Sequence, residues 1–157
     1  MSASTERVRL ALAERGLVCE IIDTERSART AQEAADAVGA TVGQIVKSLV
    51  FLCDGEGVMA LVSGANRLDE RKLGALAGGT ISRADADAVR VATGFAIGGV
   101  APLGSTRPIR VFFDRDLLAF EQIWAAAGTP STVFAVSPDE LVRATEATVA
   151  ELAPDGG

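Results

Sequence analysis

Two short apolar runs, residues 49–53 and 58–62, limit the folds open to this chain more than any other feature. Only Asp54-Gly55-Glu56-Gly57 separates them. An Asp-Gly turn between runs rich in β-branched and aromatic residues is typical of a β-hairpin. We therefore predict a pair of antiparallel strands near the middle of the chain.

Capping residues predict helices on both sides of this hairpin. Thr30 and Glu33 form a capping box before a helix that ends at Gly39, and Ser137 opens a helix whose first turn holds Pro138. The other predicted helices begin after Ser4, after Asp69, and with Ser82 and Asp85, and the last helix is expected to run to about residue 152. The remaining predicted strands are residues 17–22, 109–113 and 133–136, with a helical turn at 42–46.

The order of these elements predicts the fold class. Short strands separated by both hairpins and helices indicate an α+β fold, in which a mixed, largely antiparallel sheet is surrounded by helices. The same order argues against a doubly wound parallel sheet. A length of 157 residues suits a single domain spanning residues 1–157, with a loose tail at 153–157.

Scarce residue types exclude several kinds of site. The chain has no His, which removes the commonest metal ligand and the base of any Ser-His or Cys-His pair. Its two cysteines, Cys19 and Cys53, are too few for a zinc site, and we interpret them as small core residues of a reduced, cytoplasmic protein. We therefore expect neither a metal nor another cofactor.

Charge and hydropathy limit the partners. The formal net charge is −6, whereas strong binding along DNA or RNA needs a basic surface, so only a short end of nucleic acid stays open as a nucleic-acid partner. No apolar run approaches 18 residues, and the first 15 residues carry charges throughout. We therefore expect no membrane span and no secretion signal. We also expect a monomer, because no long apolar surface helix stands out.

Lys47 is the first candidate for chemistry, because it lies in the apolar run Ile45-Val46-Lys47-Ser48-Leu49-Val50-Phe51. A lysine among such neighbours can face water from a half-buried strand. It can also be held in a pocket as a cation for a phosphate or a carbonyl oxygen. The sequence alone leaves both interpretations open.

The second candidate is a glycine-rich segment, Thr93-Gly94-Phe95-Ala96-Ile97-Gly98-Gly99-Val100-Ala101-Pro102-Leu103-Gly104. It is neither a P-loop nor a dinucleotide-binding fingerprint, because no Gly-Lys-Ser/Thr follows and no strand-turn-helix spacing matches. Its exposed backbone N–H groups could hold an oxyanion or a substrate backbone. A tight connection between two elements is the alternative.

Asp114 is the third candidate, at the end of the predicted strand 109–113. It could orient an amine, pair with Lys47, or cap the segment that follows. A basic group formed by Arg67, Arg71 and Lys72 is interpreted as a solvated helix face, with phosphate contact as the alternative.

The segment 43–51, the glycine-rich segment 93–104 and Asp114 together resemble the YbaK/prolyl-tRNA-synthetase-associated domain family in order and spacing. The hairpin and helix between the first two motifs match as well, so the resemblance extends over residues 8–152. Members of that family are small trans-editing proteins or a domain inserted in bacterial prolyl-tRNA synthetase. They hydrolyse the ester of a misacylated tRNA. The resemblance implies a mixed, curled sheet packed with helices.

The resemblance also implies roles for individual residues. The family's motif lysine falls on Lys47, which would anchor the phosphate of the 3′-terminal adenosine or the ester carbonyl. Backbone N–H groups of the loop 98–102 would hold the carbonyl or position water, and Asp114 would hold the α-amino group or fix the pocket wall. The implied catalytic residues are Lys47, Gly98 and Gly99, and the implied substrate-binding residues are Ser48, Phe95, Ile97, Val100, Pro102 and Asp114.

The expected function is therefore a trans-editing aminoacyl-tRNA deacylase that acts without a metal on tRNA mischarged with Ala, Cys, Ser or Thr. The acceptor end of mischarged tRNA is the expected partner, and an aminoacyl-tRNA synthetase is a second candidate partner. One alternative is a non-catalytic module that binds an aminoacyl or adenosine group or a synthetase. Another is a hydrolase of other small esters or amides. The chain lacks the tyrosine near the first strand and the later His that some relatives carry, which leaves the amino acid open.

Overall fold

A computed structural model describes residues 2–155, so Met1 and residues 156–157 of the predicted loose tail lie outside the described residues. The strands are β1 Ile21–Asp23, β2 Val46–Cys53, β3 Glu56–Ser63, β4 Ile81–Arg83, β5 Arg110–Asp114, β6 Ile123–Ala126, β7 Thr132–Val136 and β8 Thr148–Ala150. The α-helices are α1 Ala3–Glu14, α2 Ala31–Val38, α3 Glu70–Ala77, α4 Ala86–Thr93 and α5 Pro138–Thr145, and 3-10 helices cover Val42–Gln44 and Arg115–Ala119.

The strands form two sheets. The larger sheet has the order β4-β2-β3-β5-β8, in which β2 runs antiparallel to β3 and β4, while β5 runs parallel to β3 and β8. The smaller sheet, β1-β7-β6, is antiparallel throughout. Within residues 2–155, a single parallel bridge from Ile45 to Trp124 links the two sheets. The predicted α+β class with a mixed, largely antiparallel sheet and surrounding helices is confirmed.

The predicted hairpin is present and longer than the sequence indicated. Its turn consists of Asp54 and Gly55, both with positive φ, as a two-residue hairpin turn of the favoured twist requires. Pairing continues without interruption from Cys53 opposite Glu56 to Val46 opposite Ser63. The first residues of β2 were missed because Lys47 and Ser48 interrupt the apolar pattern.

Helix starts follow the predicted caps, with one correction. Thr30 and Glu33 form the capping box of α2, and Asp69, Asp85 and Ser137 cap their helices through side-chain oxygens. The prediction that Ser4 caps α1 is wrong, since the Ser2 hydroxyl accepts the Thr5 amide N–H at 3.0 Å. Ser82 does not open a helix either, because it lies in β4.

Strand pairing that depends on distant residues explains the other differences. The last helix ends at Thr145, where Glu146 takes a left-handed conformation, and β8 then pairs with β5. The prediction that this helix runs to about residue 152 is therefore wrong. The strand expected at 17–22 is shifted to Ile21–Asp23, and β4 and β6 were not predicted.

Both faces of the larger sheet are covered. Met59 and Leu61 on one face of β3 join a core with α1, α4 and the smaller sheet, while Val58 and Val62 on the other face pack with α3. Because β3 is buried on both of its faces, consecutive residues along this strand are apolar. No helix within residues 2–155 is long and apolar enough to cross a membrane.

Lys72 is not the freely solvated residue that the sequence indicated. Its ammonium group contacts the Glu151 carboxylate at 3.2 Å, the Asp155 carboxylate at 2.8 Å and the Ala153 carbonyl oxygen. These contacts fasten the chain that follows β8 to α3.

Candidate active site

A cleft lies along the outer edge of β2, where the two sheets separate. The strand β4 pairs with the last three residues of β2, Phe51–Cys53. The strand β6 pairs with Ile45, the residue before β2, through the bridge from Trp124. Within residues 2–155, no strand pairs with this edge from Val46 to Val50. The cleft fills the gap that is left between β4 and β6.

The backbone of Ser48 and Val50 faces this gap. Hydrogen bonds alternate sides along a strand, and the Asp54 amide donates outward to the Thr80 carbonyl oxygen at 3.1 Å. Every second residue before Asp54 points its N–H and C=O groups to the same side. The groups of Leu52, Val50 and Ser48 therefore point outward as well. Leu52 meets β4, which leaves the groups of Ser48 and Val50 for a ligand.

The cleft has a volume of about 400 Å³ and a mostly apolar wall. The segment 28–31, α2, β2, the glycine-rich segment, β6 and β7 all contribute residues to it. None of the described residues that line it is acidic, and two are cationic. The lining residues are Ala28, Arg29, Thr30, Ala31, Ala34, Val38, Ile45, Val46, Lys47, Ser48, Leu49, Val50, Ala84, Val89, Ile97, Gly98, Val100, Trp124, Ala125, Ala126, Pro130 and Val133.

Lys47 is a half-buried member of this wall. Its ammonium group donates a hydrogen bond to the backbone carbonyl oxygen of Asn66. Burial lowers the pKa of Lys47 below its ordinary value, and the attraction of Asp114 opposes that shift. Within residues 2–155, no carboxylate oxygen lies within 4 Å of this ammonium group. The interpretation of a lysine held in a pocket is therefore the one that the geometry favours.

A buried hydrogen-bond network holds the turn that carries the Asn66 carbonyl. The Asp114 carboxylate, 1% exposed, accepts the Ser63 amide N–H at 3.0 Å and the Asn66 side-chain amide at 2.9 Å. The Asn66 amide also reaches Asp116 at 2.7 Å. Asp114 therefore acts on Lys47 both through its charge and through the position of Asn66. Sequence reasoning missed Asn66, because its partners lie about 50 residues away.

Asp114 has a second structural task. Its other carboxylate oxygen accepts the Asp116 amide N–H at 3.0 Å and so caps the 3-10 helix at Arg115–Ala119. Every oxygen of this carboxylate is thus engaged within the fold, and Asp114 is not among the residues that line the cleft. Among the roles considered for Asp114, the cap of the following segment is confirmed.

Gly98 and Gly99 differ in what their backbones can offer. Gly98 lines the cleft with φ of +94°, and its amide N–H has no partner among the described hydrogen bonds. The Gly99 amide already donates to the Ala96 carbonyl oxygen at 3.0 Å. A Cβ on Gly99 would lie 2.8 Å from Thr129 Cα, so this glycine allows close packing. Of these two amides, only that of Gly98 lacks a partner among residues 2–155.

The remaining predicted site residues divide into two groups. Ser48, Ile97 and Val100 line the cleft with Lys47 and Gly98. Phe95 is fully buried beneath the guanidinium of Arg7, whose carbon lies 4.6 Å from the ring centre, and does not line the cleft. Pro102 is also outside the cleft and lines a separate cavity beside α1. For Phe95 and Pro102 the structure shows packing and no access to a ligand in the cleft.

Lys47 and Lys72 should titrate at clearly different pH values. They are the only lysines of the chain. Desolvation lowers the pKa of Lys47, whereas hydrogen bonds from Lys72 to Asp155 and Glu151 raise the pKa of Lys72. NMR of protein labelled with ¹³C at the lysine Cε should show two signals, of which Lys47 titrates first. Lys72→Arg assigns them, and equal midpoints would contradict the placement of Lys47.

No group of three or more His, Cys, Asp or Glu side chains within residues 2–155 is arranged to hold a metal ion. The cleft offers two cationic side chains, backbone N–H groups and apolar walls. Such a site can bind and polarise a carbonyl group.

Comparison with known proteins agrees with this geometry. The model of the "Aminoacyl-tRNA editing domain" family matches residues 25–144, which include β2, the glycine-rich segment and β5. The chain belongs to this family. The resemblance noted in the sequence is thereby confirmed.

The editing domain is similar to a protein that it matches over most of the length and to a part of much longer ligases. It is 29% identical over 123 residues to the uncharacterized protein YwhH of Bacillus subtilis (strain 168), covering 78% of each chain. It is 38% identical over 98 residues to the proline–tRNA ligase of Maridesulfovibrio salexigens. That match covers 62% of the editing domain and only 17% of the ligase.

A solved structure has the same fold over nearly the whole chain. It is described as a "putative trans-editing enzyme for prolyl tRNA synthetase". The editing domain shares 48% sequence identity with it, with a TM-score of 0.93, over 98% of this chain and 99% of that one.

Proposed function

We propose that this editing domain is a deacylase that hydrolyses the ester of a mischarged tRNA presented to it in trans. The observation that carries the proposal is a cleft of about 400 Å³ that brings Lys47 together with the free amide of Gly98 and the open edge of β2. The similarity to a trans-editing protein and to proline–tRNA ligases supports the same conclusion.

The reaction needs little beyond positioning. Water adds to the ester carbonyl carbon, the bond from that carbon to the ribose oxygen breaks, and the ribose oxygen takes up a proton. An aminoacyl ester is already activated, so orientation and stabilisation of the oxyanion supply much of the barrier reduction. The chain has no His to act as a base, and the substrate's own hydroxyl or thiol group would assist the attack.

Each element of the cleft then has a task. The Lys47 ammonium group and the Gly98 N–H group bind the ester carbonyl oxygen, where negative charge develops. The outward N–H and C=O groups of Ser48 and Val50 bind the aminoacyl part. The apolar wall around Trp124 and Ala125 covers the remainder and limits access of bulk water.

The proposal is tested with a panel of tRNAs mischarged with Ala, Cys, Ser or Thr, both on the proline tRNA and on the cognate tRNAs. We expect the protein to release free amino acid and intact tRNA from one or two of them. Addition of a prolyl-tRNA synthetase would show whether a synthetase partner raises the rate. Release of amino acid at the same rate from every tRNA of the panel would contradict a translational editing role.

Two further measurements separate the alternatives. Equal rates on whole tRNA and on an aminoacyl ester of a simple alcohol would indicate a general ester hydrolase. Binding of a non-hydrolysable aminoacyl-adenosine without turnover of any ester would indicate a binding module that uses the same cleft.

A further inference from the structure

The charge of the cleft is opposite to the charge of the chain. The protein has a formal net charge of −6, yet the described residues that line the cleft include Lys47 and Arg29 and no Asp or Glu. A local excess of positive charge in an acidic protein indicates a ligand that carries negative charge. An amino acid ester alone is cationic at its α-amino group and does not supply that charge.

The two cations of the cleft are held differently. Lys47 is half-buried, it is committed to the Asn66 carbonyl oxygen, and burial lowers its pKa. Arg29 is exposed, and no carboxylate oxygen within residues 2–155 lies within 4 Å of its guanidinium group. Its side chain is therefore free to bind a ligand at the mouth, while Lys47 serves the interior.

The backbone under Arg29 is fixed. Its amide N–H donates to the Glu33 carboxylate at 2.9 Å, which also accepts the Thr30 amide N–H in the capping box of α2. The Ala28 amide donates to the Pro130 carbonyl oxygen at 3.0 Å, and both of these residues line the cleft. The Glu33 carboxylate is occupied by these backbone groups, and the guanidinium group starts from a stable position.

We propose that Arg29 binds the phosphate group on the 5′ side of the terminal adenosine and so selects esters linked to a nucleotide. This inference rests on the proposed function. A guanidinium group presents paired N–H donors that match phosphate oxygens, and its exposed position suits a group that stays at the mouth. Two anchoring roles were considered for Lys47, and this proposal assigns them to different residues. Arg29 binds the phosphate and Lys47 binds the ester carbonyl.

The test compares the binding of 5′-AMP and adenosine by calorimetry. The two ligands differ only in the phosphate group, and neither needs to be hydrolysed. We expect the wild-type protein to bind 5′-AMP at least about fivefold more tightly than adenosine. Arg29→Ala should abolish this preference and leave the affinity for adenosine unchanged, since the guanidinium group forms no ion pair within residues 2–155.

Arg26→Ala is the matched control. Arg26 lies on the same loop, is also exposed and does not line the cleft. This variant should keep the preference for 5′-AMP. The slope of log affinity against log salt for a non-hydrolysable aminoacyl-tRNA should also fall by about one in Arg29→Ala and stay constant in Arg26→Ala.

The outcome for Arg29 is independent of catalysis. A lost 5′-AMP preference in Arg29→Ala supports the assignment even if no mischarged tRNA is hydrolysed, in which case only the deacylase proposal fails. An unchanged preference in Arg29→Ala, equal loss in Arg26→Ala, or no binding of either ligand by the wild-type protein would overturn it.

Discussion

Lys47→Ala should lower the rate of deacylation of the best mischarged tRNA by about 100-fold or more, which is the usual effect of removing one donor to an oxyanion. The loss should appear mainly in kcat, because the ammonium group binds the carbonyl oxygen most strongly when charge develops there. Single-turnover measurement with excess protein separates this loss from weaker tRNA binding.

Two substitutions serve as controls for this result. Lys47→Arg keeps the charge, but its planar group cannot reach the Asn66 carbonyl oxygen in the same way, so we expect partial activity. Lys72→Ala removes the other lysine, which lies on α3 in contact with the segment after β8 and outside the cleft, and should keep full activity. Normal turnover by Lys47→Ala would refute its role in the reaction.

Asp114→Ala should have the second large effect and lower the free energy of unfolding by about 3 kcal/mol. Its carboxylate satisfies the amide N–H groups of Ser63 and Asp116 and the side chain of Asn66, and a buried donor without a partner costs about 1–3 kcal/mol. Urea unfolding followed by circular dichroism measures the difference. Because the Asn66 turn carries the hydrogen bond to Lys47, the folded variant should also show lower activity.

Asp116→Ala separates the contribution of burial from that of charge. Asp116 also accepts a hydrogen bond from Asn66, at 2.7 Å, but it is exposed. Water can replace that bond, so the loss of stability should stay below about 1 kcal/mol. Equal losses in the two variants would show that the buried network is not the source of the effect.

Local chemistry was enough to predict much of the fold. The Asp54-Gly55 turn and the caps at Thr30, Asp69 and Ser137 each act within a few residues, and all four form as expected. The strand β8 could not be found in this way, because it exists through its parallel pairing with β5. Propensity alone would have continued the preceding helix.

The same distinction applies to the candidate site. The motif around Lys47 and the loop at Gly98 were found in the sequence, and the structure brings them to one cleft. Phe95 belongs to the same loop, but the loop turns it into the core. Arg29 and Asn66 were missed, since each gains its importance from elements that are distant in the chain and carries no motif of its own.

The open edge of β2 has a consequence for self-association. An exposed strand edge is a template on which another protein chain can pair and begin to aggregate. Here the unpaired groups of Ser48 and Val50 lie within a recess bordered by α2 and the glycine-rich segment. A chain that approaches this edge must therefore enter the recess between these elements. The fold thus keeps a reactive edge available to its ligand while protecting the protein from unwanted β-sheet growth.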